Sequence, residues 1–85
     1  YSPRTPLVLG FPPVGGKCAY LWITLAHPAE VAIRMPADPA GYAAILYDTL
    51  HELDKKGLDC IAVECPPEGE AWAAIHDRLR RAAHK

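Results

Sequence analysis

The sequence predicts a small α/β domain, built on a mixed sheet of about four strands with two main helices. Three observations point there. Short runs rich in β-branched and aromatic residues fill the first half, bounded by proline and glycine. The second half alternates strand, helix, strand, helix, with a strong amphipathic pattern in both helices. Finally, 85 residues with 51% hydrophobic and 22% charged side chains suit one globular domain with a modest core.

Residues 1–6, "YSPRTP", are polar and proline-containing and read as the end of a linker. Residues 7–85 form the single domain. "LVLG" is the first strand, and "CAYLWITL" the second. "VAIRM" is the third, after a break of "AHPAE". A connection that short predicts antiparallel pairing of strands two and three, because parallel neighbours ordinarily need a longer crossover. In the long helix that follows, Asp38 is a suitable N-cap and Pro39 suits the first helical position. Tyr42, Ile45, Leu46, Thr49, Leu50 and Leu53 recur at the spacing of one helical face. Lys55 and Lys56 favour the negative end of the helix dipole, and Gly57 can take the left-handed conformation that closes a helix. "CIAVECP" is a continuous apolar strand, of the kind buried on both faces of a sheet. The last helix, "AWAAIHDRLRRAAH", puts Trp72, Ile75, Leu79 and Ala82 inside. Trp72, Leu50, Leu53 and Ile61 are expected to meet in one core. The βαβ unit is expected to be right-handed, which makes the domain Rossmann-like.

"GFPPVGGKC" (10–18) superficially resembles a phosphate-binding loop, G-x-x-x-x-G-K-[ST]. It has one residue too many between the outer glycines, and Pro12 and Pro13 delete N–H donors. Cys18 replaces the metal-binding hydroxyl, and a strand follows where a helix N-terminus is required. The segment is expected to be a connection with Lys17 in solvent.

The remaining candidates for chemistry are few. Glu64, Glu68 and Glu70 lie in the loop after the fourth strand, where α/β proteins place their sites. No nucleophile or phosphate cradle accompanies them, so Glu68 and Glu70 are expected to support the first turn of the next helix. Arg78, Arg80 and Arg81 invite a nucleic-acid reading, against which stands the dipole-favourable end of a solvated helix. His76 is expected to be structural or exposed. His27, His51, His76 and His84 lack zinc-ligand spacing, and no metal site is expected. Cys60 and Cys65 point to opposite faces of one predicted strand and cannot pair there. Buried free thiols are therefore expected for Cys18, Cys60 and Cys65. With nine basic and ten acidic side chains, the net charge of −1 gives no general attraction to nucleic acid or anionic lipid. No apolar run reaches a membrane span, and no leader is recognisable, so a cytoplasmic location is expected.

"YSPRTPLVL", "MPADPAGYAAILYDTLHELDKKGLDCIAVECPP" and "AWAAIHDRLRRAA" together resemble the C-terminal accessory domain of two-domain L-threonylcarbamoyladenylate synthases. In that family a tyrosine-containing linker joins a YrdC-type catalytic domain to a Rossmann-like domain. The resemblance covers nearly the whole chain, although Phe11 to Ala29 is short where the family usually has another helix. It implies a non-catalytic domain that assists or regulates an ATP-dependent partner in making threonylcarbamoyladenosine for tRNA. ATP and magnesium would bind the partner, with no catalytic residue and no cofactor in this chain. Tyr1, Ser2 and Pro3 would belong to the linker over the partner's nucleotide site. The partner would be a YrdC-type domain in the same chain or separate, with neither membrane nor direct nucleic-acid contact. The chain would be either a fragment or a gene product that kept only this domain. Two alternatives stay open: a free-standing protein-interaction module, or a small nucleotide-binding domain.

Overall fold

The computed structural model describes residues 4–11 and 15–83. Strands β1 (Leu7–Leu9), β2 (Cys18–Trp22) and β3 (Val31–Arg34) precede helix α1 (Pro39–Asp54). Strand β4 (Cys60–Val63), a 3-10 turn at Glu70–Trp72 and helix α2 (Ala73–Ala83) complete the fold. The strand order is β1-β4-β2-β3.

All three strand pairings are parallel, which corrects the expected mixed sheet and the antiparallel pairing of β2 with β3. The reason is strand length. The register pairs Ala19 with Val31 and Trp22 with Arg34, so the chain must return only about 10 Å along the sheet. Residues 23–30 can span about 26 Å when extended, so no crossover helix is required.

The two connections that lead from β1 to β2 and from β2 to β3 contain no helix among the described residues. Both helices cover a single face of the sheet. Leu7, Ala19, Leu21, Ile61 and Val63 join the helix residues Tyr42, Leu46, Leu50, Leu53, Trp72, Ile75, Leu79 and Ala82 in one buried cluster. The expected meeting of Trp72, Leu50, Leu53 and Ile61 is present there. Tyr42 and Trp72 rings meet edge to face, 5.5 Å apart. Of the expected inner face of α1, Ile45 departs: it is 39% exposed, beyond the edge of the buried stripe.

Alternate positions of the strands face the other way. There Tyr20 is buried, its hydroxyl donating to the Leu25 carbonyl at 2.8 Å and its ring edge-on to His27. The 23–30 connection therefore covers part of the face opposite the helices. Trp22 lies half-buried on that face, beneath the Arg34 guanidinium at 5.3 Å.

The ends of α1 follow the sequence. Asp38 caps it by accepting from the Gly41 N–H at 2.7 Å. Gly57 supplies the positive φ, 66°, that turns the chain toward β4.

The cysteines depart from expectation. Cys18 and Cys60 stand opposite each other in the β2–β4 register and form a disulfide. Cys65 is the free cysteine and is exposed, not buried. The pairing joins two strands that are distant in sequence, so comparing Cys60 with Cys65 alone could not find it.

Candidate functional site

The carboxyl ends of parallel strands are where α/β domains ordinarily bind ligands, in the crevice between strands whose following segments leave on opposite faces. Here β2 and β4 meet that description. The segment after β2 turns over Tyr20, while the segment after β4 carries Trp72 into the helix-side core.

The crevice is filled by the chain itself. The Glu64 N–H extends the ladder by donating to the Leu21 carbonyl at 2.8 Å. Its carboxylate then accepts from the N–H groups of Ile23 (3.0 Å), Thr24 (3.1 Å) and Leu25 (2.8 Å). The Thr24 hydroxyl adds a fourth donor at 2.8 Å. Successive N–H groups turned inward are an anion-binding concavity, and Glu64 is its anion. Burial pushes the Glu64 pKa up, but the hydrogen bonds from Leu25, Ile23 and Thr24 outweigh it and hold the carboxyl below its usual range. This arrangement also ends β2 at Trp22, short of the expected Leu25, because the next N–H groups bend out of the ladder.

Glu68 and Glu70 are exposed, and Glu70 opens the 3-10 turn before α2. The loop does not assemble an acid–base pair from them. His76 Nε2 lies 2.9 Å from the Pro67 carbonyl oxygen and ties α2 back to this loop.

Gly15, Gly16 and Lys17 precede β2, at the amino edge of the sheet and away from the crevice. The Lys17 N–H donates to the Asp59 carboxylate at 2.9 Å, and the Asp59 N–H returns a bond to the Lys17 carbonyl at 2.7 Å. Gly16, at φ +80°, needs the freedom of glycine, and a Cβ there would crowd Asp59. Asp59 thus takes the Lys17 N–H, a donor that a phosphate bound at this loop would need. Lys17 is exposed, as expected of a connection.

A second feature lies at the start of the chain. Thr5 is buried, and both its N–H (2.9 Å) and its hydroxyl (2.8 Å) donate to Asp54 Oδ1. The Arg4 N–H reaches Oδ2 of the same carboxylate at 3.3 Å. Asp54 is the last residue of α1, where the helix dipole disfavours an acid. The donors from the linker end supply the compensating partners. Sequence reasoning missed this pair, though an acid closing a helix was the available signal.

Tyr1, Ser2 and Pro3 lie outside the described residues. Arg78, Arg80 and Arg81 are exposed on α2, and Arg81 pairs with Asp77 at 3.2 Å. Among the described residues no three His, Cys, Asp or Glu side chains come together as a metal site, and no helix is long and apolar enough to cross a membrane.

In comparisons with known proteins, the sequence model of the family described as "Threonylcarbamoyl-AMP synthase, C-terminal domain" matches residues 1–84. No curated protein and no solved structure matches the chain.

Proposed function

Because the chain belongs to the family of the threonylcarbamoyl-AMP synthase C-terminal domain, we propose that it is a non-catalytic, Rossmann-like accessory domain that fixes the path of the interdomain linker. Its partner is a YrdC-type catalytic domain, in the same chain or separate. That domain binds ATP and magnesium and makes the adenylate used in tRNA threonylcarbamoyladenosine formation in the cytoplasm.

The observation that carries this reading is the clamp on Asp54. The segment entering the domain is held by two backbone N–H groups and a hydroxyl on one carboxylate. A linker tied at Thr5 meets the domain at a fixed point. A linker anchored there loses less freedom when it covers a nucleotide site than one that swings freely. The domain would thus act on its partner by position, without contributing a reacting group.

The test joins a YrdC-type catalytic domain upstream of Tyr1 and follows pyrophosphate release from ATP, threonine and bicarbonate. Asp54→Ala is expected to raise the KM for ATP, and Asp54→Asn, which retains an acceptor, to raise it less. The 85-residue chain alone is expected to release no pyrophosphate. Release by that chain alone, or an ATP dependence unchanged by Asp54→Ala in a folded protein, would overturn the reading.

A further inference from the structure

The disulfide lies in the row where the strands begin. Leu7 pairs with Ile61, Cys18 with Cys60, and Ala19 with Val31, so Pro6, Cys60, Cys18 and Glu30 stand side by side. In that row the Ile61 N–H donates to the Pro6 carbonyl at 2.8 Å, and the Glu30 N–H to the Cys18 carbonyl at 3.0 Å. The incoming chain is thus held at both ends of one short segment. Asp54, which begins the segment, accepts from Thr5, and Ile61, which ends it, donates to Pro6. Between them Lys55, Lys56, Gly57 and Asp59 are exposed and Leu58 is buried. The bond from Cys60 to Cys18 is the covalent tie of this segment to β2.

We propose that the Cys18–Cys60 bond is a redox-operated latch on the linker entry, closed as a disulfide and opened by a dithiol. Its consequence for a partner domain rests on the linker reading proposed above; its opening does not. Access sets the order of events. Cys18 is 4% exposed, whereas Cys60 is half-buried, so an incoming thiolate meets the Cys60 sulfur first. That attack joins the reductant to Cys60, breaks the bond to Cys18 and leaves the electron pair on Cys18 Sγ, which takes up a proton. The second thiolate of the reductant then attacks its own sulfur in the mixed disulfide and releases Cys60, which is protonated in turn. Two electrons pass from the dithiol to the protein, and the reductant leaves as a disulfide.

The reduced state has its own partners. Cys18 Sγ lies 3.6 Å from the Gly15 carbonyl oxygen, an acceptor for the new thiol. The β2–β4 register and the buried Ala19, Leu21, Ile61 and Val63 hold the two strands together without the bond. The free Cys65 lies past the other end of β4, about 13 Å along the strand, too far to scramble the pair. Opening changes what the segment 54–61 can do. While the bond is closed, that segment cannot lift off without drawing β2 with it. Once the bond is open, it can part from the sheet by itself, and Thr5 and Pro6 lose their partners together.

The test compares amide hydrogen exchange of the whole chain, oxidised and in excess dithiothreitol, with alkylation and mass measurement to count thiols. Reduction is expected to leave all 3 cysteines open to alkylation and the dispersed amide spectrum retained. The Thr5 and Ile61 amides should speed up about tenfold more than those of Met35 and Glu64, which donate to Trp22 and Leu21 at the other end of the sheet. The double variant Cys18→Ser, Cys60→Ser should show the reduced pattern with or without dithiothreitol, and reduction of the wild type gives the same reading without any substitution. A bond that stays closed in the folded chain, one that opens only with loss of the native spectrum, or equal acceleration at both ends of the sheet would overturn the latch. In the protein joined to a YrdC-type domain, reduction should raise the KM for ATP as Asp54→Ala does. Loosening of Thr5 and Ile61 with that KM unmoved by either change leaves the latch standing and removes the linker reading. A KM moved by Asp54→Ala alone overturns the latch and keeps the linker reading.

Discussion

Replacing Glu64 tests whether the crevice between β2 and β4 is held shut by a charge. In Glu64→Gln one oxygen remains to accept, while the second acceptor is exchanged for an amide that cannot bond to an N–H. Hydrogen bonds to a charged group contribute about 1.5–3 kcal/mol each when buried. Thr24 and Leu25 are exposed, however, so water will replace part of what is lost. The expected loss at neutral pH is about 1–2 kcal/mol for Glu64→Gln. For Glu64→Ala, where three N–H groups lose their partner, about 2–3 kcal/mol is expected. In a domain of this size each kcal/mol shifts the melting temperature by about 4–8 °C, so thermal or urea unfolding will resolve the difference. The pH dependence separates charge from shape. The folded-state pKa lies below the ordinary 4.5, so the stabilisation is complete above that value and is lost as pH falls through the folded pKa. The gap between wild type and Glu64→Gln should therefore be full at neutral pH and should narrow in acid. A variant as stable as wild type at neutral pH, or a gap unchanged in acid, would refute the assignment of Glu64 as the anion of this nest.

Three further outcomes follow from the packing. Leu50→Ala should cost about 2–5 kcal/mol in a denaturant titration, because Leu50 is buried between the helices and the sheet. Tyr42→Phe should be neutral or mildly stabilising in the same assay, since the Tyr42 hydroxyl is buried with no hydrogen-bond partner among the described residues. Reducing the Cys18–Cys60 bond, which spans 42 residues, should lower stability by about 4 kcal/mol, and Cys60→Ser should abolish the sensitivity to reductant.

Much of the helical half was legible in the sequence because its signals are local. Asp38, Pro39 and Gly57 mark α1 through bonds and dihedrals that span only a few residues. The buried stripe of the 3-10 turn and α2 appears as Trp72, Ile75, Leu79 and Ala82 at helical spacing. The strand-rich half was less legible because its arrangement rests on contacts between distant residues. Parallel pairing of β2 with β3 depends on how far a short strand obliges the chain to return, which residue type does not reveal. The Cys18–Cys60 pair depends on the register of β2 against β4. Glu64 and its donors are about 40 residues apart in sequence, and Thr5 and Asp54 49. Glu64 was visible as a residue in the right loop, but its role as a structural anion was not.

Four of the acids share one use. Asp38 accepts from Gly41, Asp54 from Arg4 and Thr5, Asp59 from Lys17, and Glu64 from Ile23, Thr24 and Leu25. Each carboxylate takes backbone N–H groups at a helix start, a linker, a glycine turn or the end of a strand. These are the groups with which an α/β domain would otherwise grip a phosphate. A phosphate would have to displace a tethered carboxylate whose effective concentration is high, and would bring its own charge toward the same acid. The interior edge of the sheet is therefore organised to hold the fold together. At the linker entry, the proposed reading gives that hold a use: Asp54 ties down the backbone at Arg4 and Thr5. If the proposed function holds, an accessory domain would use such rigid contacts to anchor the start of its linker, and loosening the Asp54 clamp would be the change that exposes that use.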